Sequence, residues 1–317
     1  ERQTAILLIG SDIRQEQPLL AHRIRKAALA GADVSVVNPY HLDLTHPARQ
    51  LAAAPGCKLL ELGAIAKALG ASATGSVEPI LDKSQVSEEH RAIAEALTKA
   101  GGASSGLVLL GALAEADPDY TLLKALAWLI AESAGVRVGI VPRAANSVGA
   151  HLAGAMPHLL PGARPLERHG LNALSMLIEP RKGYLLWGLE PDRDLIDPAA
   201  AMQALEQAAL VVACTSFRSP SLDAAADILL PIGAFAETSG TFVNAAGDWQ
   251  RFQGAVAPPG DARPGWKVLR VLGNLLELDG FEQNTAKQAH DELRTQCVDV
   301  RPANRMRGTP AAISELL

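Results

Sequence analysis

Apolar residues in this chain gather in short unbroken runs rather than alternating with polar ones. Three runs end alike: Ile6-Leu7-Leu8-Ile9-Gly10, Leu107-Val108-Leu109-Leu110-Gly111 and Tyr184-Leu185-Leu186-Trp187-Gly188. Unbroken runs suit strands buried on both faces of a parallel sheet, and the closing glycine permits a sharp turn out of it. Residues 34–37, 136–141, 210–214 and 227–230 are further strand candidates. Helical patterns lie between them at 18–30, 87–100, 118–134, 198–209 and 264–278, several opening on proline and several closing on glycine. Strands alternating with helices of this length predict βαβ units and a doubly wound α/β architecture.

Two α/β halves are expected, residues 1–150 and 151–280, with a helix and polar tail over 281–317. The Gly, Ala and Pro content of 142–165 reads as a long connecting loop, and 255–265 reads as irregular. The chain starts Glu1-Arg2-Gln3-Thr4 and enters an apolar run at once, without a leader pattern, so part of something longer is expected.

Composition removes several function classes. The 317 residues are 48% hydrophobic and 20% charged, which suits a folded globular chain. A formal net charge of −5 without a basic run argues against nucleic acid as a partner. The longest apolar stretch, 122–131, contains Lys124 and is too short to insert directly in a membrane. Cys57, Cys214 and Cys297 are far apart and lack the grouping that holds a zinc ion or an iron–sulfur cluster. Cys214 sits in an apolar run and reads as a buried thiol.

Candidate chemistry is thin. No Gly-x-Gly-x-x-Gly follows a strand, and no phosphate loop, strand-to-helix Gly-x-Ser-x-Gly elbow or His-Glu-x-x-His is present. The histidines read as surface or hydrogen-bonded residues rather than ligands. Asp117 and Asp119 read as charges at a helix N-terminus rather than as paired catalytic acids. Trp187, Trp249 and Trp266 read as packing residues. The loops at strand ends, 10–14, 38–39, 146–149 and 240–250, hold small residues, amides and Arg14. They could cradle a nucleotide; small polar residues there also simply make tight turns, which is the plainer reading.

One run is more specific: Glu237-Thr238-Ser239-Gly240-Thr241-Phe242-Val243-Asn244-Ala245-Ala246-Gly247-Asp248-Trp249-Gln250. It resembles the Gly-Thr-Phe-x-Asn signature of the molybdopterin oxidoreductase fold. Leu7 to Pro18 with His22 to Ala27, Ala144 to Ala150, Ala226 to Pro231 and Ala262 to Arg270 follow in the same family's order. Together they are similar to the G subunit of the proton-pumping NADH:quinone oxidoreductase, respiratory complex I. The resemblance implies two Rossmann-like lobes with largely parallel sheets, in a formate dehydrogenase-like arrangement. In catalytic relatives Ser11, Arg14, Asn38, Asn146, Gly240, Thr241 and Asn244 would approach a molybdopterin guanine dinucleotide.

Departures from the pattern lower that expectation. Asn38 stands where an Asp is usual, Ala246 where Glu is usual and Asp248 where Arg is usual. The resemblance therefore implies an empty relic cleft, no catalytic residue, and no cofactor or metal in this chain. It places iron–sulfur clusters in an N-terminal part of the parent outside the chain. It also implies other peripheral-arm subunits as partners, at the cytoplasmic face of a bacterial inner membrane. A catalytic molybdopterin oxidoreductase and a generic Rossmann nucleotide-binding protein remain the alternatives.

Overall fold

The computed structural model describes residues 1–300 except Pro55 and Ile196, so the expected tail over 301–317 lies outside the described residues. Two compact units meet in sequence between Ala145 and Asn146. In the first, strands β1 (Ala5–Ile9), β2 (Asp33–Asn38), β3 (Arg49–Ala52), β4 (Gly106–Leu110) and β5 (Arg137–Ile140) form one sheet in the order β3-β2-β1-β4-β5. Every pairing is parallel.

The run that opens the chain becomes the central strand. Ala5, Leu7 and Ile9 face a core built with helices Lys58–Ala68, Glu88–Gly102 and Tyr120–Ala134. Ile6 and Leu8 face the opposite layer, where Ile24 and Ala27 of helix Pro18–Leu29 cover them. Period-two alternation thus gives both faces of a doubly wound sheet from one apolar run. Gly10 leaves β1 with φ +55, and a Cβ there would run into the backbone of Ala114. The position needs glycine for its backbone and for the close approach.

Among the described residues, the buried side-chain polar groups of this unit are paired, His46 excepted. Ser87 and His90 form a capping box at the start of helix Glu88–Gly102. The Ser87 N–H donates to His90 Nδ1 at 3.0 Å, which leaves Nε2 to carry the proton toward Glu61 Oε2 at 2.8 Å. His46 differs from the expectation for histidines: neither ring nitrogen has a hydrogen-bond partner, and desolvation followed by the charge of Arg25 lowers its pKa. Asp117 also differs, being the ion-pair partner of the buried Lys58 rather than a solvated helix-end charge.

The second unit holds two antiparallel hairpins and a smaller sheet. β6 (Leu159–Leu160) pairs with β7 (Arg164–Pro165). β8 (Gly183–Trp187), β9 (Leu210–Thr215) and β10 (Ile228–Pro231) form a parallel sheet in the order β10-β9-β8. β11 (Gly240–Val243) pairs with β12 (Trp249–Phe252). The stretch expected as a plain loop contains helix Ser147–Ala153, because Val148 and Leu152, one turn apart, pack with Val243 and Cys297. Helix Gly265–Leu275 ends before the expected 278, since Glu277 takes a positive φ of 56. Burial on both strand faces holds for β1, β2 and β4 but fails here: Leu185, Trp187, Leu210 and Ile228 are exposed. Among the described residues, no helix is long and apolar enough to cross a membrane.

The Lys58–Asp117 pair yields a pH prediction. Burial alone would raise the Asp117 pKa, but hydrogen bonds from Lys58 and the Asp119 N–H, with the Lys58 charge, lower it below its ordinary value of 3.8. A carboxylate with a depressed folded-state pKa stabilises the fold above its unfolded value and loses that contribution as pH falls through the folded one. Asp117→Asn should therefore cost on the order of 2 kcal/mol at pH 7. The difference from wild type should close as pH falls below 3.8, where the native carboxylate also becomes neutral. Urea unfolding across that pH range checks both parts.

Candidate functional site

In open α/β sheets, ligands bind beyond the C-terminal strand ends where the strand order reverses. In the first unit that point lies between β1 and β4, with neighbours β2 and β5 leading away on either side. Ser11, Arg14 and Asn38 belong to this unit.

Ser11 and Asn38 hold each other. The Ser11 N–H donates to Asn38 Oδ1 at 2.9 Å, and Asn38 Nδ2 donates to the Ser11 carbonyl at 2.9 Å. Both residues are buried, so this reciprocal pair satisfies backbone groups that leave the sheet without ladder partners. Arg14 is exposed and its guanidinium donates to the Asp43 carbonyl.

A residue not picked out from the sequence is central here. Glu16 Oε1 accepts the Asp12 N–H at 2.7 Å, while Oε2 accepts the Ala112 N–H at 3.0 Å and the Ser11 hydroxyl at 3.2 Å. A carboxylate of the chain itself thus gathers the donors at the reversal point. Its signal in the sequence is one of two acids, Asp12 and Glu16, shortly after the strand-Gly turn, too common a pattern to single out.

Asn146, Gly240, Thr241 and Asn244 belong to the second unit. Asn146 precedes helix Ser147–Ala153, and its Oδ1 accepts the Val243 N–H at 2.8 Å, tying β11 to that helix. Asn244 shapes the β11–β12 turn: its Oδ1 accepts the N–H groups of Ala246 and Asp248 at 2.9 Å each, and Nδ2 donates to Asp248 Oδ2 at 3.1 Å. A Cβ on Gly240 would lie 2.7 Å from Phe252 Cζ, so glycine lets the ring close over the strand. Phe252 belongs to an aromatic group with Phe235 and Phe242, ring centroids 5.0–5.6 Å apart.

Thr241 meets helix Ala286–Gln296. Its hydroxyl lies 3.0 Å from His290 Nδ1. The His290 ring also stands edge-on to Trp249 at 5.3 Å, and the Arg294 guanidinium lies 5.0 Å from the Trp249 ring. Desolvation lowers the His290 pKa, and Arg251, Arg294 and Lys287 act in the same direction against Asp291. A neutral imidazole can accept a hydrogen bond from the Thr241 hydroxyl. Cys214 is buried, and burial pushes its thiol pKa up, as befits an inert structural cysteine. Among the described residues, no group of three or more His, Cys, Asp or Glu side chains could hold a metal ion.

If Asn146 serves the fold, Asn146→Ala should strand the Val243 N–H and lower stability by about 1–3 kcal/mol. A residue kept only to touch a ligand would leave the urea midpoint unchanged.

Comparison with known proteins fits this architecture. Residues 1–275 match the family described as molybdopterin oxidoreductase. The G subunit of the NADH-quinone oxidoreductase of Streptomyces coelicolor is 28% identical, over 88% of this chain and 34% of that protein. The alpha subunit of F420-dependent formate dehydrogenase 1 of Methanococcus maripaludis is 25% identical, over 92% of this chain and 50% of its own length. Acetylene hydratase from Pelobacter acetylenicus shares the fold with a TM-score of 0.65 at 13% identity, covering 89% of this chain and 48% of that one. The chain spans about a third of the length of the Streptomyces coelicolor protein. With the match running over residues 1–275, the chain belongs to the molybdopterin oxidoreductase family.

Proposed function

We propose that this chain is a non-catalytic structural module of the G subunit of an NADH:quinone oxidoreductase, in the peripheral arm of that complex. Its parent would carry electrons from NADH toward quinone through iron–sulfur clusters held outside this chain. The module would contact other peripheral-arm subunits at the cytoplasmic face of a bacterial inner membrane. The likeness to the Streptomyces coelicolor protein over 88% of the chain supports the assignment.

The observation that carries the non-catalytic reading is the internal use of the candidate polar groups. Ser11 pairs with Asn38, Asn146 with Val243, Asn244 with Asp248 and Thr241 with His290. Side chains engaged in this way already have partners within the chain and need no bound guanine dinucleotide to satisfy them. Asp248 adds a carboxylate where the resemblance expects an arginine. A phosphate brought within about 4 Å of it would meet a repulsion of roughly 1–4 kcal/mol. The opposite reading, a working molybdopterin enzyme, draws on the likeness to the formate dehydrogenase alpha subunit over 92% of the chain.

Elemental and nucleotide analysis of the intact parent protein in its complex separates the two. The proposal expects iron without molybdenum, tungsten or released guanine nucleotide. Stoichiometric molybdenum or tungsten with guanine nucleotide would establish a working site and sink the scaffold reading.

A further inference from the structure

The second unit has a groove to which the proposed function assigns no partner. It measures about 640 Å³ and runs along helix Gly265–Leu275 beside β10. Leu230, Trp266, Val268, Val271, Leu272 and Leu275 give it an apolar floor. That floor continues onto solvent-facing residues: Val271 is 46% exposed and Leu275 78%. Isolated exposed leucines need no explanation, but a contiguous strip with a cavity marks an interaction surface.

Charge decides what the surface accepts. Arg263, Lys267 and Arg270 line the groove, and no carboxylate does. The chain as a whole is acidic, at −5, so this local cationic rim runs against the global balance. Among the described residues, none of the three cations is ion-paired with a carboxylate. Arg270 donates through Nη1 to Asn284 Oδ1 at 2.9 Å, while its Nε is buried without a partner. Lys267 rests over the Trp266 ring, 5.5 Å from its centroid. Three cations lining one groove without a carboxylate partner favour charge-assisted hydrogen bonds from an acidic segment.

We propose that this groove docks an amphipathic helix of a partner protein, its apolar side on the Val271–Leu275 strip and its acidic residues on Arg263, Lys267 and Arg270. An apolar floor with cations lining it is the arrangement that recognises such a segment. Trp266 and Arg270 are the residue types that anchor interfaces of this kind. The charged side chains lining the groove are all cationic, so the same groove on a second copy would repel it rather than fill it.

A photo-cross-linking residue placed at Leu275 in the parent protein, irradiated in cells, tests the proposal. Leu275 is exposed, so the replacement leaves packing undisturbed. Sequencing of the adduct should return an acidic amphipathic segment of a different protein. The same probe at Leu29, 59% exposed in the first unit, should give no such adduct. Lys267→Glu, at an exposed position, should cut the Leu275 yield about tenfold by setting like charges against each other. Unchanged circular dichroism and melting temperature would show that the variant is folded. An adduct with a second copy, with a lipid or with a basic segment would overturn the proposal. So would a Leu275 yield no higher than at Leu29, or one insensitive to Lys267→Glu.

Discussion

The first unit depends on one strand being buried on every side. β1 is paired along its length to β2 on one edge and β4 on the other, and its side chains are at most 3% exposed. A strand in that position can carry no polar side chain without a buried partner. Any chemistry must therefore begin where it ends, at Gly10-Ser11. The crowding at Gly10 and the hydrogen bonds of Ser11 are the direct consequence of packing three parallel strand ends around one point.

Parallel strand ends release N–H and C=O groups that need partners from a ligand, from water or from the chain itself. This chain answers internally at the positions named above. The Glu16 carboxylate takes the donors between β1 and β4 that an anionic ligand would otherwise meet. Asn38 closes the end of β2, Asn146 pins β11, and Asn244 closes the hairpin turn. Such pairing makes the signature Gly-Thr-Phe-x-Asn a device for building a hairpin. Gly240 admits Phe252, and Asn244 sets the turn. Residues with those structural tasks stay useful whether or not a cofactor is bound, whereas Ala246 and Asp248, at the exposed tip, are free to depart from the pattern.

Much of the fold was legible for the same reason. The unbroken runs ending in glycine announced β1, β4 and β8, and the helical pattern over 87–100 announced helix Glu88–Gly102. Helix Lys58–Ala68 was not read from the sequence because it is sandwiched: Leu62, Gly63, Ala64, Ile65 and Ala66 are all buried, leaving no polar stripe to betray its period. β3 is four residues long and mostly half-exposed, below the length at which alternation is informative. The family signature identified candidate residues but not their partners. Glu16 reaches Ala112, Lys58 reaches Asp117 and Thr241 reaches His290 across long sequence separations that no local pattern encodes.

The second unit shows what the hydrophobic pattern says when the structure does not fully answer it. β8 reads, like β1, as a strand covered on both faces, yet Leu186 is buried while Leu185 and Trp187 are exposed. Leu185 aligns with Val212 on β9, and Val212 with Ile228 on β10, so the open positions form a row across the sheet rather than scattered points. Helix Gly265–Leu275 meets this sheet where Trp187 packs on Gly265, but it leaves the row at Leu185 and Ile228 uncovered. Apolar residues at every position of a strand are the composition of a sheet with two covers. One cover lies within the described residues. The second is encoded in the strand as a demand for apolar contact, and the cationic groove beside it adds a demand for acid.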